Sequence, residues 1–218
     1  MTAEAPGKAT TPLVEKLPEA LSPQDAFERL AGLPYILFLD SAAENDTQVL
    51  YSYITARPFE VLKTTGDSTE LLAAEGELDS PSYKITGVEE TDPFEVLRRR
   101  LKGWATPSLP NLPPFQGGAA GLLGYGLAHS IEKISRPRHD EFAMPDLVIG
   151  LYDWVIAWDH LEKCCHIISH GFPETGPDRR ERAARQIETL KKLLGGNERI
   201  PKRPGVKTPP PLTREELA

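Results

Sequence analysis

The chain has 218 residues, 39% of them hydrophobic, which is enough for one large domain or two small ones with a real core. Its formal net charge of −7, without a basic stripe that carries interleaved aromatic residues, argues against a nucleic-acid-binding surface. The apolar runs are all too short for a membrane-spanning helix, so the composition excludes a membrane partner.

Residues 1–12 are small, polar and proline-bearing, so we expect a disordered lead-in. They lack the apolar core and cleavage pattern of a secretory signal. The segment "SPQD" then predicts a helix start, with Ser22 as the N-cap and Pro23 at the first helical position. This helix is expected to end at Gly32. The segment "YILFLDS" (35–41) predicts a buried strand, because its apolar residues run almost without interruption.

Further strands follow, and then a second helix. The segments "QVLYSYITA" (48–56) and "FEVLKTTG" (59–66) predict two strands, and "TELLAA" and "SYKITGVE" predict two more. Asp92 and Pro93 then repeat the start pattern of the first helix, with Asp92 as the cap. The second helix is expected to extend to about Gly103.

A proline-rich loop, "WATPSLPNLPPFQGG", leads into a glycine-rich segment. The glycines do not match a P-loop, because the chain contains no Gly-Lys-Ser or Gly-Lys-Thr. The dinucleotide fingerprint G-x-G-x-x-G also fails, since its third glycine position is His129. We therefore expect a strand over residues 119–127 whose glycines allow another backbone to approach closely.

The last third of the chain predicts a β-hairpin and a long helix. Two apolar runs flank the polar turn "DHLEK", which is typical of a hairpin. The adjacent Cys164 and Cys165 are then strand residues, poorly placed for a disulfide and suited to a reducing cytoplasm. Residues 178–194 predict an amphipathic helix with the arginines of 179–185 on the solvated face and an inward face formed by Ala184, Ile187, Leu190, Leu193 and Leu194.

Strands joined as hairpins, with helices between them, predict an α+β fold of mainly antiparallel sheets and flanking helices. Residues 13–196 would form this domain. Residues 197–218 are basic and proline-rich and are similar to a linker.

Five motifs occur in one order: "ILFLDS", "YSYITARPF", "DPFEVLRRRL", "PFQGGAAGLLGYGLAHSIE" and "PDLVIGLYDWVIAWDH". Over residues 20–170 this order resembles the N-terminal region of component I of the chorismate-utilising synthases, aminodeoxychorismate synthase and anthranilate synthase. The tryptophan that follows Tyr-Asp in "YDWVIAWDH" is closer to the aminodeoxychorismate branch. The resemblance implies the α+β fold of that N-terminal domain.

Two positions depart from the family pattern. Gly126 stands where the family often has the aspartate of "GYD", and Leu50 stands where it has an arginine. The catalytic half of these enzymes, with its lysine nucleophile, general-acid glutamate and Mg²⁺-binding glutamates, lies beyond a linker like 197–218. The resemblance therefore implies an isolated non-catalytic domain, with no catalytic residue, metal or cofactor in this chain and with Mg²⁺ expected only in the absent catalytic domain.

The resemblance also implies a ligand pocket at the end of the first predicted strand. In the family, the serine that corresponds to Ser41 helps to hold L-tryptophan, as a feedback inhibitor or as a tightly bound structural ligand. Leu50, Tyr51 and Ser52 would be its neighbours. A serine hydroxyl can hydrogen-bond an α-amino or carboxylate group. The alternative is that Ser41 caps a turn and Tyr51 belongs to the core; with an apolar Leu50 we expect weak binding or none.

Other polar residues have simpler interpretations. Asp153, Asp159 and His160 could be imagined as a catalytic set, but no nucleophile accompanies them, and a polar hairpin turn is the favoured interpretation. The histidines fall in different elements without metal-ligand spacing.

Two classes of function compete. The first is the N-terminal domain of aminodeoxychorismate (para-aminobenzoate) synthase component I, an enzyme that aminates chorismate with ammonia from a glutamine amidotransferase subunit in folate biosynthesis. Anthranilate synthase component I, in tryptophan biosynthesis, is the alternative within this class. The second class is a free-standing regulatory module that binds an aromatic amino acid. The linker-like C-terminal segment favours the first class, with the amidotransferase and the chain's own chorismate-binding domain as partners.

Overall fold

The computed structural model describes residues 11–18, 20–40, 50–78, 82–132 and 144–195. These residues form strands β1 (Leu13–Leu17), β2 (Leu37–Leu39), β3 (Tyr51–Thr55), β4 (Glu60–Thr65), β5 (Ser68–Glu75), β6 (Ser82–Glu89), β7 (Gly118–Leu123), β8 (Leu147–Tyr152), β9 (Trp154–Asp159) and β10 (Cys164–Ser169). The helices are α1 (Pro23–Leu30), α2 (Pro93–Gly103), α3 (Ala128–Ile131) and α4 (Gly176–Gly195), with a 3₁₀ turn at Tyr125–Leu127.

The strands form two five-stranded sheets in which neighbouring strands are antiparallel. Sheet A has the order β1-β10-β9-β3-β2, and sheet B has the order β6-β5-β4-β8-β7. The chain passes from one sheet to the other at Arg57, between β3 and β4, and at Asp153, between β8 and β9. The predicted α+β fold with mainly antiparallel sheets is confirmed.

Both predicted helix starts are confirmed. The side chain of Ser22 accepts a hydrogen bond from the backbone N–H of Asp25 at 3.1 Å, and Asp92 Oδ1 accepts one from Phe94 at 3.0 Å. Each cap satisfies a backbone N–H that has no partner inside the helix. Pro23 and Pro93 occupy the first helical positions, where the absent N–H costs nothing.

Sheet A is covered on both faces. One face packs against α1 and α4 through a cluster of buried side chains that includes Leu30, Ile54, Trp154, Ile156, Ile167, Ile187 and Leu190. On the opposite face, Leu112 and Phe115 of the proline-rich loop pack beside Val155 and Ala157. All residues of the central strand β9 from Trp154 to Trp158 are buried as a result.

Sheet B has one well-covered face, on which α2 packs. Val96 of this helix belongs to the same buried cluster as Leu62, Leu71 and Ile149. The strand register places a second set of apolar side chains on the opposite face, where they are 42 to 57% exposed: Ile85, Val88 and Leu122. The two sheets therefore differ in how many of their faces the described residues cover.

The prediction of a buried strand over residues 35–41 was wrong in its length and burial. β2 contains only Leu37–Leu39, it lies at the edge of sheet A beside β3, and Leu39 is 41% exposed. Tyr35 has a φ of 51°, a left-handed conformation that interrupts an extended chain. A run of apolar residues does not distinguish an edge strand from a central one. Ser41, at the end of this segment, lies outside the described residues.

The predicted strand over residues 119–127 is correct up to Leu123, where β7 ends and the chain continues into a 3₁₀ turn. Gly121 has a φ of 154°, and a Cβ at this position would overlap the carbonyl oxygen of Val148 in β8. Its hydrogen side chain therefore allows the close backbone approach that the sequence predicted. Within the described part of the chain, β7 is an edge strand of sheet B that pairs with β8.

Helix α4 contains the predicted residues 178–194, and most of its predicted inward face is confirmed. The buried residues are Ala183, Gln186, Ile187, Leu190 and Leu194, and Leu193 packs beside them, but the prediction that Ala184 faces inward was wrong. These residues follow the spacing of one helical face, and Gln186 turns inward because its side chain binds a buried carboxylate described below. Among the described residues, no helix is long and apolar enough to cross a membrane.

Candidate functional site

Strand β3 carries two of the residues that were predicted to form a ligand pocket. Tyr51 pairs with Asp159, and Ser52 pairs with Trp158, in the antiparallel register of β3 and β9. Successive residues of a strand point to opposite faces, so Tyr51 and Ser52 lie on different sides of sheet A. The predicted role of Ser41 stays a prediction, because the structure does not describe this residue.

Leu50 immediately precedes β3 and is 36% exposed. Its backbone carbonyl accepts a hydrogen bond from the N–H of His160 at 2.9 Å, which joins the start of β3 to the end of β9. The Leu50 side chain has no charge that could pair with a ligand carboxylate.

The side chain of Ser52 is fully buried between two ionisable groups. Its hydroxyl donates to Asp40 Oδ1 at 2.6 Å and lies 2.6 Å from His160 Nε2. Because the single hydroxyl proton goes to Asp40, His160 must carry its hydrogen on Nε2 and donate it to Ser52 Oγ. Asp40 follows β2 and His160 follows β9, so three elements build this polar group, which we name the Ser52 cluster.

The Ser52 cluster does not activate a nucleophile. A catalytic serine gives its proton to a histidine base, which a carboxylate orients, whereas the proton of Ser52 points to the carboxylate of Asp40. Asp40 and His160 are both exposed at the surface, so the cluster is suited to hold a polar ligand group. A carboxylate accepts hydrogen bonds from an ammonium group, and an imidazole N–H donates to an oxygen.

Sequence reasoning missed Asp40 and His160 as partners of Ser52. They are separated from it by 12 and 108 residues, and only the pairing of β3 with both β2 and β9 brings them together. The sequence signal that could have found Asp40 and His160 is that each lies at the end of an apolar strand segment.

Asp153, Asp159 and His160 do not form a catalytic set. Asp153 lies at one end of β9, and Asp159 and His160 lie at the other. The Oδ1 atom of Asp159 accepts hydrogen bonds from the backbone N–H groups of Leu161 and Glu162, at 3.0 and 2.9 Å. These bonds stabilise the β9–β10 turn, which confirms the interpretation as a polar hairpin turn.

Asp153 is fully buried at the point where the chain passes from sheet B to sheet A. Gln186 Nε2 donates to its Oδ2 atom at 2.9 Å, and Arg182 Nε lies 3.9 Å from the same oxygen. Burial raises the pKa of Asp153 to about 6, and nearby Arg182 and Gln186 oppose this rise. This carboxyl therefore titrates near neutral pH at the junction of the two sheets, away from the Ser52 cluster.

The prediction that the arginines of 179–185 form a solvated face was wrong for two of them. Arg182 turns toward Asp153, and Arg179 donates from Nε to the carbonyl oxygen of His170 at 2.7 Å. The guanidinium of Arg179 also lies 4.1 Å from the ring centroid of Phe172, a cation–π contact. The helical period of the sequence did not show that two arginine side chains of α4 would contact a buried carboxylate and a backbone carbonyl.

Cys164 and Cys165 are strand residues of β10, as predicted, and neither forms a disulfide. Burial, with a smaller contribution from Cys164, raises the pKa of Cys165 to about 12, so its thiol is unreactive near neutral pH. Within the described ranges, no group of three or more His, Cys, Asp or Glu side chains could hold a metal ion.

No family model matches the chain. It is 31% identical to aminodeoxychorismate synthase component 1 of Escherichia coli over 145 residues, 66% of this chain and 30% of that protein. It is 28% identical to anthranilate synthase component 1 of Neisseria meningitidis serogroup B over 208 residues, 90% of this chain and 40% of that protein. The chain is thus similar to component I of both kinds of synthase, which supports its membership of that family.

A solved structure agrees with this assignment at the level of the fold. The crystal structure of anthranilate synthase component I from Streptococcus pneumoniae matches this chain with a TM-score of 0.51 and 21% sequence identity. The match covers 81% of this chain and 37% of that one. The chain spans about a third of the length of the relatives it matches.

Proposed function

We propose that this chain is the non-catalytic N-terminal domain of an aminodeoxychorismate synthase component I. The observation that carries the proposal is the 31% identity with the Escherichia coli protein of that name. In this fold the segment "YDWVIAWDH" completes β8 and forms β9, and its tryptophan after Tyr-Asp resembles the aminodeoxychorismate branch. In this role residues 13–196 are the domain, and residues 197–218 are a linker toward a chorismate-binding domain.

In the complete enzyme, the chorismate-binding domain would hold Mg²⁺ and aminate chorismate in the cytoplasm on the route to para-aminobenzoate and folate. The ammonia would come from a glutamine amidotransferase subunit. That the matched relatives are named component 1 of their synthases supports a second component as partner.

For the ligand site, we propose that the Ser52 cluster receives the α-amino group of an aromatic amino acid such as L-tryptophan, with Ser41 and Leu50 as neighbours. The side chain of Tyr51 lies on the other side of sheet A. The carboxylate of Asp40 supplies the negative charge that attracts an ammonium group. Leu50 supplies no cation for the ligand carboxylate, so we expect the affinity of this chain for L-tryptophan to be millimolar or weaker.

Anthranilate synthase component I is the second candidate. The observation in its favour is the match to the Neisseria meningitidis protein, which covers 90% of this chain. A free-standing regulatory module that binds an aromatic amino acid is a further alternative, and tight binding of L-tryptophan by this chain alone would favour it.

A pair of segment exchanges tests the branch. Two hybrids are made, one from the Escherichia coli aminodeoxychorismate synthase component 1 and one from the Neisseria meningitidis anthranilate synthase component 1. In each hybrid, the segment that matches this chain is replaced by the corresponding residues of this chain. With each cognate glutamine amidotransferase, we expect the first hybrid to retain the larger fraction of its parent's activity. The reverse order would favour the anthranilate branch, and inactivity of both folded hybrids would contradict the proposal. Hybrids that carry Ile156→Ala are the destabilised control.

The non-catalytic assignment has a separate test. The 218-residue chain is incubated with chorismate, Mg²⁺ and ammonia, and aminodeoxychorismate and anthranilate are separated by chromatography. We expect neither product above the level of the Ser41→Ala and Asp153→Ala variants. Turnover above those variants would refute the assignment.

Calorimetric titration with L-tryptophan tests the ligand site. We expect a small heat of L-tryptophan binding with the unmodified chain and none with Ser52→Ala. Ser82 is an exposed serine of β6, and Ser82→Ala should leave the heat of binding unchanged. Submicromolar binding that neither Ser41→Ala nor Ser52→Ala alters would refute the site.

A further inference from the structure

A cavity of about 320 Å³ lies where the proline-rich loop, residues 104–117, covers the junction of the two sheets. Its floor consists of buried residues from several elements: Phe59, Gln116, Leu151, Tyr152, His170 and Phe172. Its rim consists of exposed loop residues such as Ala105 and Ser108. This volume is at the lower end of the range of about 300–1,000 Å³ that is usual for small-molecule sites.

Aromatic rings form the walls of this cavity. The ring centroids of Phe59 and Trp104 are 5.2 Å apart in an edge-to-face contact, and those of Trp104 and Phe172 are also 5.2 Å apart. His170 stacks on Phe172 with an interplanar angle of 5°. Such preformed aromatic walls favour a further planar ring, because edge-to-face and offset-stacked contacts add to the gain from burial.

One hydrogen-bond acceptor in the cavity is poorly used. His170 Nε2 lies 2.8 Å from the carbonyl oxygen of Gln116, and a carbonyl only accepts, so Nε2 carries the hydrogen. Burial, together with nearby Arg179, lowers the pKa of His170 and keeps the ring neutral, although the bond to Gln116 opposes this. The Nδ1 atom is then an acceptor, and its partner Thr106 Oγ1 is 3.5 Å away, at the limit of a hydrogen bond.

The other polar groups on the floor are already satisfied. The hydroxyl of Tyr152 donates to the carbonyl oxygen of Tyr35 at 2.8 Å. The Gln116 side chain accepts from the N–H of Leu109 at 2.8 Å and donates to the carbonyls of Leu109 and Pro113 at 2.9 and 3.2 Å. No residue that lines the cavity is an Asp, Glu, Lys or Arg. A buried carboxylate or ammonium group would lack a partner of opposite charge, which disfavours a zwitterionic amino acid as the occupant.

We propose that this cavity binds a planar, uncharged aromatic molecule of about the size of indole, which places its ring against Trp104 and Phe172 and donates one N–H or O–H to His170 Nδ1. The proposal is independent of the Ser52 cluster, which lies at another part of sheet A and was assigned a charged ligand. Gly118 lines the same cavity, and a Cβ at this position would meet no atom within 4 Å, so the space beside it is open.

Calorimetric titration of the 218-residue chain with indole and with 1-methylindole tests the donor. Both molecules fill the aromatic space, but only indole can donate to His170 Nδ1. We expect indole to bind about three- to tenfold more tightly, the effect of one hydrogen bond worth about 1 kcal/mol. Equal affinity of the two molecules, or no heat from either at the solubility limit of indole, would overturn the proposal.

A cavity-filling variant locates the site. Thr106→Trp places a large ring at the rim of the cavity, on a half-buried loop position where folding is expected to be retained. Ser82→Trp puts the same side chain on exposed β6 as the matched control. We expect loss of indole binding in the first variant alone. Indole binding that survives Thr106→Trp, or that Ser82→Trp abolishes equally, would overturn the assignment to this cavity.

Loss of L-tryptophan binding in Ser52→Ala with unchanged indole binding would show that the two sites are separate. Competition between L-tryptophan and indole for one site would overturn the cavity proposal and leave the proposed domain function untouched.

Discussion

Sheets A and B have the same number of strands, but their environments differ. In sheet A, helices α1 and α4 cover one face and the proline-rich loop packs on the other, so β9 is buried from Trp154 to Trp158. In sheet B, α2 covers one face, and the apolar side chains of the opposite face are exposed on β6 and β7. The same residue types therefore contribute to the core in one sheet and face the surface in the other.

This difference bears on function. The Ser52 cluster lies between three strands of sheet A, and the aromatic cavity lies at the junction of the two sheets, so each site contains buried residues. The exposed strands of sheet B carry no comparable polar arrangement among the residues that the structure describes. We therefore expect substitutions to be costly in sheet A and mild on the outer face of sheet B.

The largest expected contrast is between two isoleucines. Ile156 of β9 is fully buried, whereas Ile85 of β6 is 51% exposed. We expect Ile156→Ala to lower the free energy of unfolding by about 2–5 kcal/mol, because it leaves a cavity in a packed core. Ile85→Ala should cost at most about 1 kcal/mol. Urea denaturation followed by circular dichroism measures both; equal losses would mean that the outer face of sheet B is covered in solution.

The junction of the two sheets should make stability depend on pH. A carboxyl whose pKa rises from 3.8 to about 6 on folding binds its proton more tightly in the folded state. The contribution of Asp153 to the free energy of unfolding should therefore fall by about 2 kcal/mol as the pH rises from 4 to 7, and stay level above that. Asp153→Asn should remove this decline.

Thermal melts across this pH range, compared among the unmodified chain, Asp153→Asn and Asp159→Asn, provide the measurement. Asp159 lies at the far end of the same strand and controls for a general loss of charge. A decline of the same size in Asp153→Asn as in the unmodified chain would show that another group causes it.

The two glycines of β7 separate backbone strain from backbone contact. Gly118 and Gly121 both have positive φ, but a Cβ at Gly121 overlaps the β8 backbone and one at Gly118 meets no atom within 4 Å. We expect Gly121→Ala to cost about 2 kcal/mol or more and Gly118→Ala about 1 kcal/mol. Chemical denaturation of both variants tests this order, and a larger loss at Gly118 would contradict the account of close packing.

The smallest effects are expected at the helix caps, one for each sheet. Ser22→Ala removes the cap of α1 on sheet A, and Asp92→Ala removes the cap of α2 on sheet B. Each should cost about 1 kcal/mol, because one backbone N–H of the helix loses its acceptor. Melting temperatures compared with Ser82→Ala measure the effect; unchanged stability of both cap variants would mean that water replaces the caps without loss.

Local signals in the sequence were sufficient for most of the secondary structure. The capped Ser-Pro and Asp-Pro starts and the hairpin around Asp159 depend on contacts between residues close in the chain. Such contacts appear as short patterns, which is why they were predicted correctly. The family resemblance rested on the order of these local motifs.

Tertiary structure alone decided which strands share a sheet, which of their faces are covered and which polar groups meet. Residues 35–41 have the composition of a core strand, yet β2 is an edge strand because, among the described residues, it pairs with β3 alone. Ser52 lies between Asp40 and His160, and Trp104 packs against Phe172, through contacts between distant segments. The period of a sequence shows which side chains share a face, but what covers that face depends on elements far away in the chain.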